Sequence, residues 1–130
     1  MRCVQRPLDP PAIAPPAANY AHGVVVESPS RWVHTSGVVP TAPAGSTPDD
    51  VGAQARVVWQ NLAAILAEAD MGPDDVVSVV TYAVDGEDLA PVMAERDRFL
   101  GGRRAASTLV TVPRLAQDRW KVEVAVVAAR

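Results

Sequence analysis

At 130 residues the chain is long enough for one domain with a proper core and too short for two. Nearly half of it is apolar (48%), which excludes general disorder, and a net charge of −3 argues against nucleic acid or an anionic membrane as the main partner. No apolar stretch approaches the roughly 18 residues that span a bilayer. Pro and Asp stand where a signal peptide has its apolar core, so a cytoplasmic protein is expected.

Residues 1–18 carry Pro7, Pro10, Pro11, Pro15 and Pro16 and read as an extended arm without helix, leaving 19–130 as the folded domain. Cys3, the only cysteine, cannot form an internal disulfide or a cysteine-based metal site. Two short strands near 22–28 and 31–37 should form a hairpin about Ser28-Pro29-Ser30, closed by Gly37 and Pro40. Residues 40–47 are a loop. Thr47, Pro48 and Asp50 then read as N-cap, first helical residue and capping-box partner of a helix. Its apolar stripe is Val51, Ala55, Val58, Leu62, Ile65, Leu66 and Ala69, with Trp59 and Asn61 off it, and Met71-Gly72-Pro73 ends it.

Val76 to Val84 is rich in β-branched residues and reads as a strand with valines on both faces. A second helix over about 87–100 sets Leu89, Val92, Met93, Arg96, Phe99 and Leu100 near its inner side and stops at Gly101-Gly102. Strands at 107–112 and 120–128 finish the chain. The order β-β-α-β-α-β-β is an α+β fold: a single mixed β-sheet with two helices on one face, its crossovers right-handed. The other sheet face still carries Val, Leu and Thr, so a second copy of the chain is expected to cover it.

The last strand holds the residue that matters most for function. Trp120, Val122, Val124, Val126 and Ala128 share one face, and Glu123 stands on the other. A carboxylate flanked by valines costs free energy unless it is paired, hydrated or used. Its plainest role is an ion pair with Lys121 or an arginine at the sheet edge. Lys121 is also the only lysine beside eleven arginines, so a Schiff-base mechanism would need it or the N-terminal amine.

Several segments together resemble the Rid family of small enamine and imine deaminases, also called the YjgF family. They are Tyr20 with its flanks, Thr35-Ser36-Gly37-Val38-Val39-Pro40, Ala53-Gln54-Ala55-Arg56 running to Asn61-Leu62, Asp75-Val76-Val77, Pro113-Arg114-Leu115 and Lys121-Val122-Glu123-Val124. The resemblance covers about Ala18 to Ala129. It implies a chorismate-mutase-like fold, a homotrimer, pockets for a small molecule between subunits, and no cofactor or metal. Active members hydrolyse 2-imino acids to 2-keto acids and ammonia. In them an arginine before the fourth strand clamps the substrate carboxylate, a glutamate on the last strand positions or polarises water, and a tyrosine and backbone groups complete the pocket.

By position, Glu123 matches the glutamate, Tyr20 the tyrosine, Gly37 the glycine that lets ligand approach backbone, and the Thr108 amide an anchoring amide. The family's Arg-Ser step corresponds to Ala106-Ser107, so the clamp position holds a methyl group. Met93 stands where a site asparagine often occurs. Arg104 shares alternation parity with Ala106 and is the best substitute cation, with Arg103, Arg114 and Arg119 nearby in sequence; His34 is a further acid–base candidate. The resemblance then implies a divergent enzyme hydrolysing, tautomerising or cyclising a small imine, enamine or related C–N substrate that lacks an α-carboxylate, in specialised metabolism. Two alternatives stand beside it. One is a non-catalytic trimer that binds a metabolite or regulates a partner; the other is an ordinary 2-imino acid deaminase with a substitute arginine.

Overall fold

Apolar side chains at alternate positions of one strand and at three- and four-residue spacing in one helix meet to form the core. A computed structural model of the chain describes residues 2–130. In strand β6 (Val122–Ala129), Val122, Val124, Val126 and Ala128 are buried against helix α1 (Val51–Glu68), whose Val58, Leu62 and Leu66 are fully enclosed. Each of these buried valine and leucine side chains stabilises the fold by about 1.5–3 kcal/mol.

Helix α1 starts at Val51 because Asp50, not Thr47, is its N-cap: the Asp50 carboxylate accepts from the Ala53 N–H at 2.9 Å. The stripe also differs from the periodic reading. Ile65 is 39% exposed, whereas Trp59 is buried and stacks on Phe99 with ring centroids 4.8 Å apart. Helix α1 packs on the sheet and on helix α2 (Leu89–Leu100) at once, and Trp59 serves the second contact. The Glu95 carboxylate ties the two helices, accepting from Arg56 at 3.1 Å and pairing with Arg98 at 3.2 Å.

The main sheet runs β3 (Trp32–His34), β6, β4 (Val76–Val84), β5 (Ala106–Val112). Strands β4 and β5 are parallel with α2 as their crossover, and β6 is antiparallel to both neighbours. It is a mixed sheet with two helices on one face. The open face presents His34, Glu123, Ala125, Val127, Val80, Tyr82, Thr108 and Val110, partly or well exposed.

The expected hairpin at 22–37 does not form. Strand β2 (Gly23–Glu27) pairs instead with β1 (Val4–Leu8), inside the proline-rich arm, while β3 pairs with β6. Ser28, in the left-handed region at φ 57°, turns the chain out of one ladder and towards the other. Pro7 is accommodated because β1 has a partner on one side only. The Gln5 side chain fastens the ribbon, donating to the Asp75 and Ala129 carbonyls at 2.9 and 3.1 Å and accepting from Arg103 at 2.9 Å. An isolated parallel bridge between Ala21 and Ala106 brings the ribbon to the edge of β5.

Candidate active site

Glu123 sits on the open face of β6, opposite Tyr82 of β4, and its carboxylate lies over Gly37. A Cβ built on Gly37 would fall inside that carboxylate, 2.8 Å from Cδ and 3.1 Å from Cγ, so no other residue fits unless Glu123 moves. Glu123 makes no hydrogen bond or ion pair with any described residue. Lys121, its expected partner, pairs with Glu87 at 3.2 Å and donates to the Asp49 carbonyl at 2.6 Å. The N-terminal amine, on Met1, lies outside the described residues.

The backbone sets this corner. The Thr35 N–H donates to the Val126 carbonyl and Val38 pairs with Val124, so three steps along one chain face two along the other. The extra residue is a bulge at Ser36-Gly37, and the Thr35 hydroxyl fills the broken rung by accepting from the Val126 N–H at 3.0 Å. Two side chains of α1 hold the flanking loops. Gln54, fully buried, donates to the Pro48 and Arg119 carbonyls at 2.7 and 2.8 Å and accepts from the Lys121 N–H at 2.8 Å. Asn61 donates to the Thr41 carbonyl at 2.9 Å and the Val39 carbonyl at 3.3 Å. Gln54 thus fastens the chain just before the strand that carries Glu123, and Asn61 the chain just after Gly37.

A second group gathers at the outer edge of β5. Ala18, Tyr20, Met93, Arg96, Ser107, Thr108 and Leu109 line a pocket of about 380 Å³. The Ala21 N–H donates to the Ala105 carbonyl at 3.0 Å, which holds Tyr20 against the strand edge. Tyr20 meets His22 edge-on at 5.9 Å. Thr108 faces the open side and Ser107 the helix side, where its hydroxyl accepts from Arg96 Nη1 at 3.2 Å. The Glu123 corner and this pocket are separated within one chain by two strand spacings and a two-residue offset, on the order of 12 Å along the sheet.

The remaining candidates fall elsewhere. Arg104 binds the Asp9 carboxylate at 2.7 Å and donates to the Tyr20 carbonyl at 3.3 Å, so it fastens the N-terminal segment. The His22 backbone N–H, donating at 2.9 Å, and the Arg104 guanidinium together hold the Asp9 carboxyl below its usual range. His34 is exposed on the open face beside Trp32, opposite Val127. Arg114 is exposed, 3.8 Å from Asp118 in the loop before β6. Ala106 starts β5 with no charge on its own position.

Arg96, Gln54 and Asn61 are the residues that sequence reading did not assign to the site. Arg96 carried a signal, as a cation on the inner side of an otherwise apolar helix stripe. Gln54 and Asn61 carried none beyond their place in matching segments, because the carbonyls they bind are distant in sequence.

A family model described as Endoribonuclease L-PSP matches residues 12–130. A 2-iminobutanoate/2-iminopropanoate deaminase of Salmonella typhimurium is 35% identical over 125 residues, covering 93% of this chain and 91% of its own. Among solved structures, the Yersinia pestis protein YyfB, of unknown function in the Rid family, superposes with a TM-score of 0.86 at 28% identity over 97% of this chain and 98% of its own. Escherichia coli TdcF, solved with bound serine, gives 0.72 at 30% identity, covering 93% and 92%.

Proposed function

This chain belongs to the endoribonuclease L-PSP family, the Rid or YjgF proteins, and from that premise we propose that it hydrolyses a small reactive imine or enamine. One observation carries the reading: Glu123 is a carboxylate without a partner among the described residues, pressed against the Gly37 backbone on a half-open sheet face. A carboxylate held so, with no cation among the described residues to neutralise it, can take a proton from water. The water oxygen adds to the imine carbon as its proton passes to Glu123. Glu123 returns that proton to nitrogen to give a carbinolamine. It then takes the carbinolamine hydroxyl proton and passes it to the amine as the C–N bond breaks, so that ammonia leaves a carbonyl product.

The open sheet face and the edge of β5, bridged at its start by Ala21 and open beyond it among the described residues, support a homotrimer in which Glu123 of one subunit meets the Tyr20–Thr108 pocket of the next. Tyr20 and the Thr108 amide then orient the substrate while Glu123 handles water. The net charge of −3, with a single cation lining the pocket among the described residues, weighs against RNA as substrate despite the family model's description.

The test is hydrolysis of 2-iminobutanoate made in place by an amino-acid oxidase and trapped with semicarbazide. Wild type should suppress semicarbazone formation, and Glu123→Gln should lose at least about a hundredfold of that activity while staying folded. Full activity in Glu123→Gln would remove the proposal. The methyl group at Ala106 favours a second reading, a trimer that binds a metabolite without turning it over. Binding of a 2-keto acid with no hydrolysis by wild type would establish it.

A further inference from the structure

Arg96 is 4% exposed, yet it lines the pocket at the β5 edge, and among the described residues it is the only charged one that does. Its guanidinium is incompletely used. Nε donates to Asp97 Oδ1 at 3.1 Å and Nη1 to Ser107 Oγ at 3.2 Å. Nη2 is ion-paired with the same Asp97 oxygen at 3.1 Å but without an aligned N–H, and is buried with no hydrogen-bond partner among the described residues. A buried guanidinium donor that makes an ion pair but no hydrogen bond is under-used, and a two-oxygen anion is the ligand whose geometry fills such a fork. Asp97 offers one oxygen from a neighbouring position in the chain, and its own side chain is partly in water.

We propose that Arg96 is the residue that binds the substrate's carboxylate, entering the pocket from helix α2 rather than from the strand. Ala106 then marks a charge that has moved, not one that has been lost, and the substrate is a small 2-imino acid or a similar monocarboxylate. This replaces the expectation of a substrate without a carboxylate. Arg104, the substitute favoured by strand parity, is committed to Asp9 and the Tyr20 carbonyl. The inference rests on the proposed hydrolase for the imine part of the ligand, and on Arg96 alone for the anionic part. Ser107 and Asp97 are positioning residues: each holds one side of the guanidinium.

The experiment is a calorimetric titration of the full-length protein with 2-oxobutanoate and with its uncharged analogue 2-oxobutanamide. Wild type should bind the acid at least about tenfold more tightly than the amide, and Arg96→Gln should abolish that preference. Arg96→Lys should keep part of it. Asp97→Asn, which leaves the guanidinium in place and removes its competitor, should tighten the acid a few-fold and decides the matter if Arg96→Gln does not fold. Equal affinity for acid and amide in wild type, a folded Arg96→Gln that binds as wild type does, or no change in Asp97→Asn would each overturn the proposal. The imine assay separates the two readings. Acid binding through Arg96 without hydrolysis keeps this inference and sinks the hydrolase. Hydrolysis whose KM is untouched by Arg96→Gln does the reverse.

Discussion

Glu123 and Arg96 are both charged side chains set among apolar neighbours, but they are held in different ways. Glu123 has no polar partner among the described residues, and its place comes from backbone: a bulge at Ser36-Gly37 and loops fastened by Gln54 and Asn61. Arg96 is held by side chains, with Asp97 and Ser107 each taking part of its fork. The difference follows from the tasks proposed for them. A group that must give and take a proton is best left unpaired and positioned by what surrounds it, whereas a group that only attracts can be partly neutralised and kept ready.

That contrast can be broken from either side. The largest effect is expected from Gly37→Val, which forces the Glu123 carboxylate away: imine hydrolysis should fall at least about a hundredfold while 2-oxobutanoate affinity changes less than tenfold. A parallel loss of both would show that the two corners are one rigid unit. Gln54→Leu should come next, since it strands the Pro48 and Arg119 carbonyls and the Lys121 N–H. It should cost about 2–4 kcal/mol, read as a lowered melting temperature together with reduced turnover.

Ser107→Ala should be milder, weakening 2-oxobutanoate a few-fold with kcat nearly unchanged, because Asp97 still holds Arg96. An equal fall in kcat would place Ser107 in the chemistry instead.

The smallest effect concerns the N-terminal segment. Asp9 titrates below its usual value when folded, so its contacts contribute fully above that value, 3.8, and are lost as pH falls through the depressed folded value. Amide exchange at His22 should therefore quicken only in that acidic range, and in Asp9→Asn it should be quick at neutral pH. Unchanged protection in Asp9→Asn would assign the order of this segment to the β1–β2 ladder alone.

What could be read in advance divides along similar lines. Alternation over Val122 to Ala128 gave the core face of β6 and isolated Glu123, because a strand with one buried face writes its own pattern. The helices were legible for the same reason, except where α1 serves two partners and Trp59 and Ile65 exchange roles. Strand β1 was hidden because Pro7 and the prolines after Leu8 obscure any pattern, and its five residues are stabilised by a ladder to Gly23–Glu27. The β2–β3 hairpin was a reasonable local reading that longer-range pairing overrode. Arg96 appeared on the inner stripe of α2, but its meaning depends on Ser107 and Tyr20 arriving beside it, which only the fold arranges.

The Ser36-Gly37 bulge has an evolutionary consequence. Because Thr35 and Val38 both bond to β6 across one surplus residue, the reach of Glu123 to Gly37 is encoded in chain length as well as in residue identity. Removing Ser36 alone would let this segment zip regularly along β6, with every functional residue still present in the sequence and the corner dismantled. Natural insertions and deletions at this point should therefore be purged more strictly than most substitutions beside it, and a single-codon deletion is the smallest change that would silence the site without altering its chemistry.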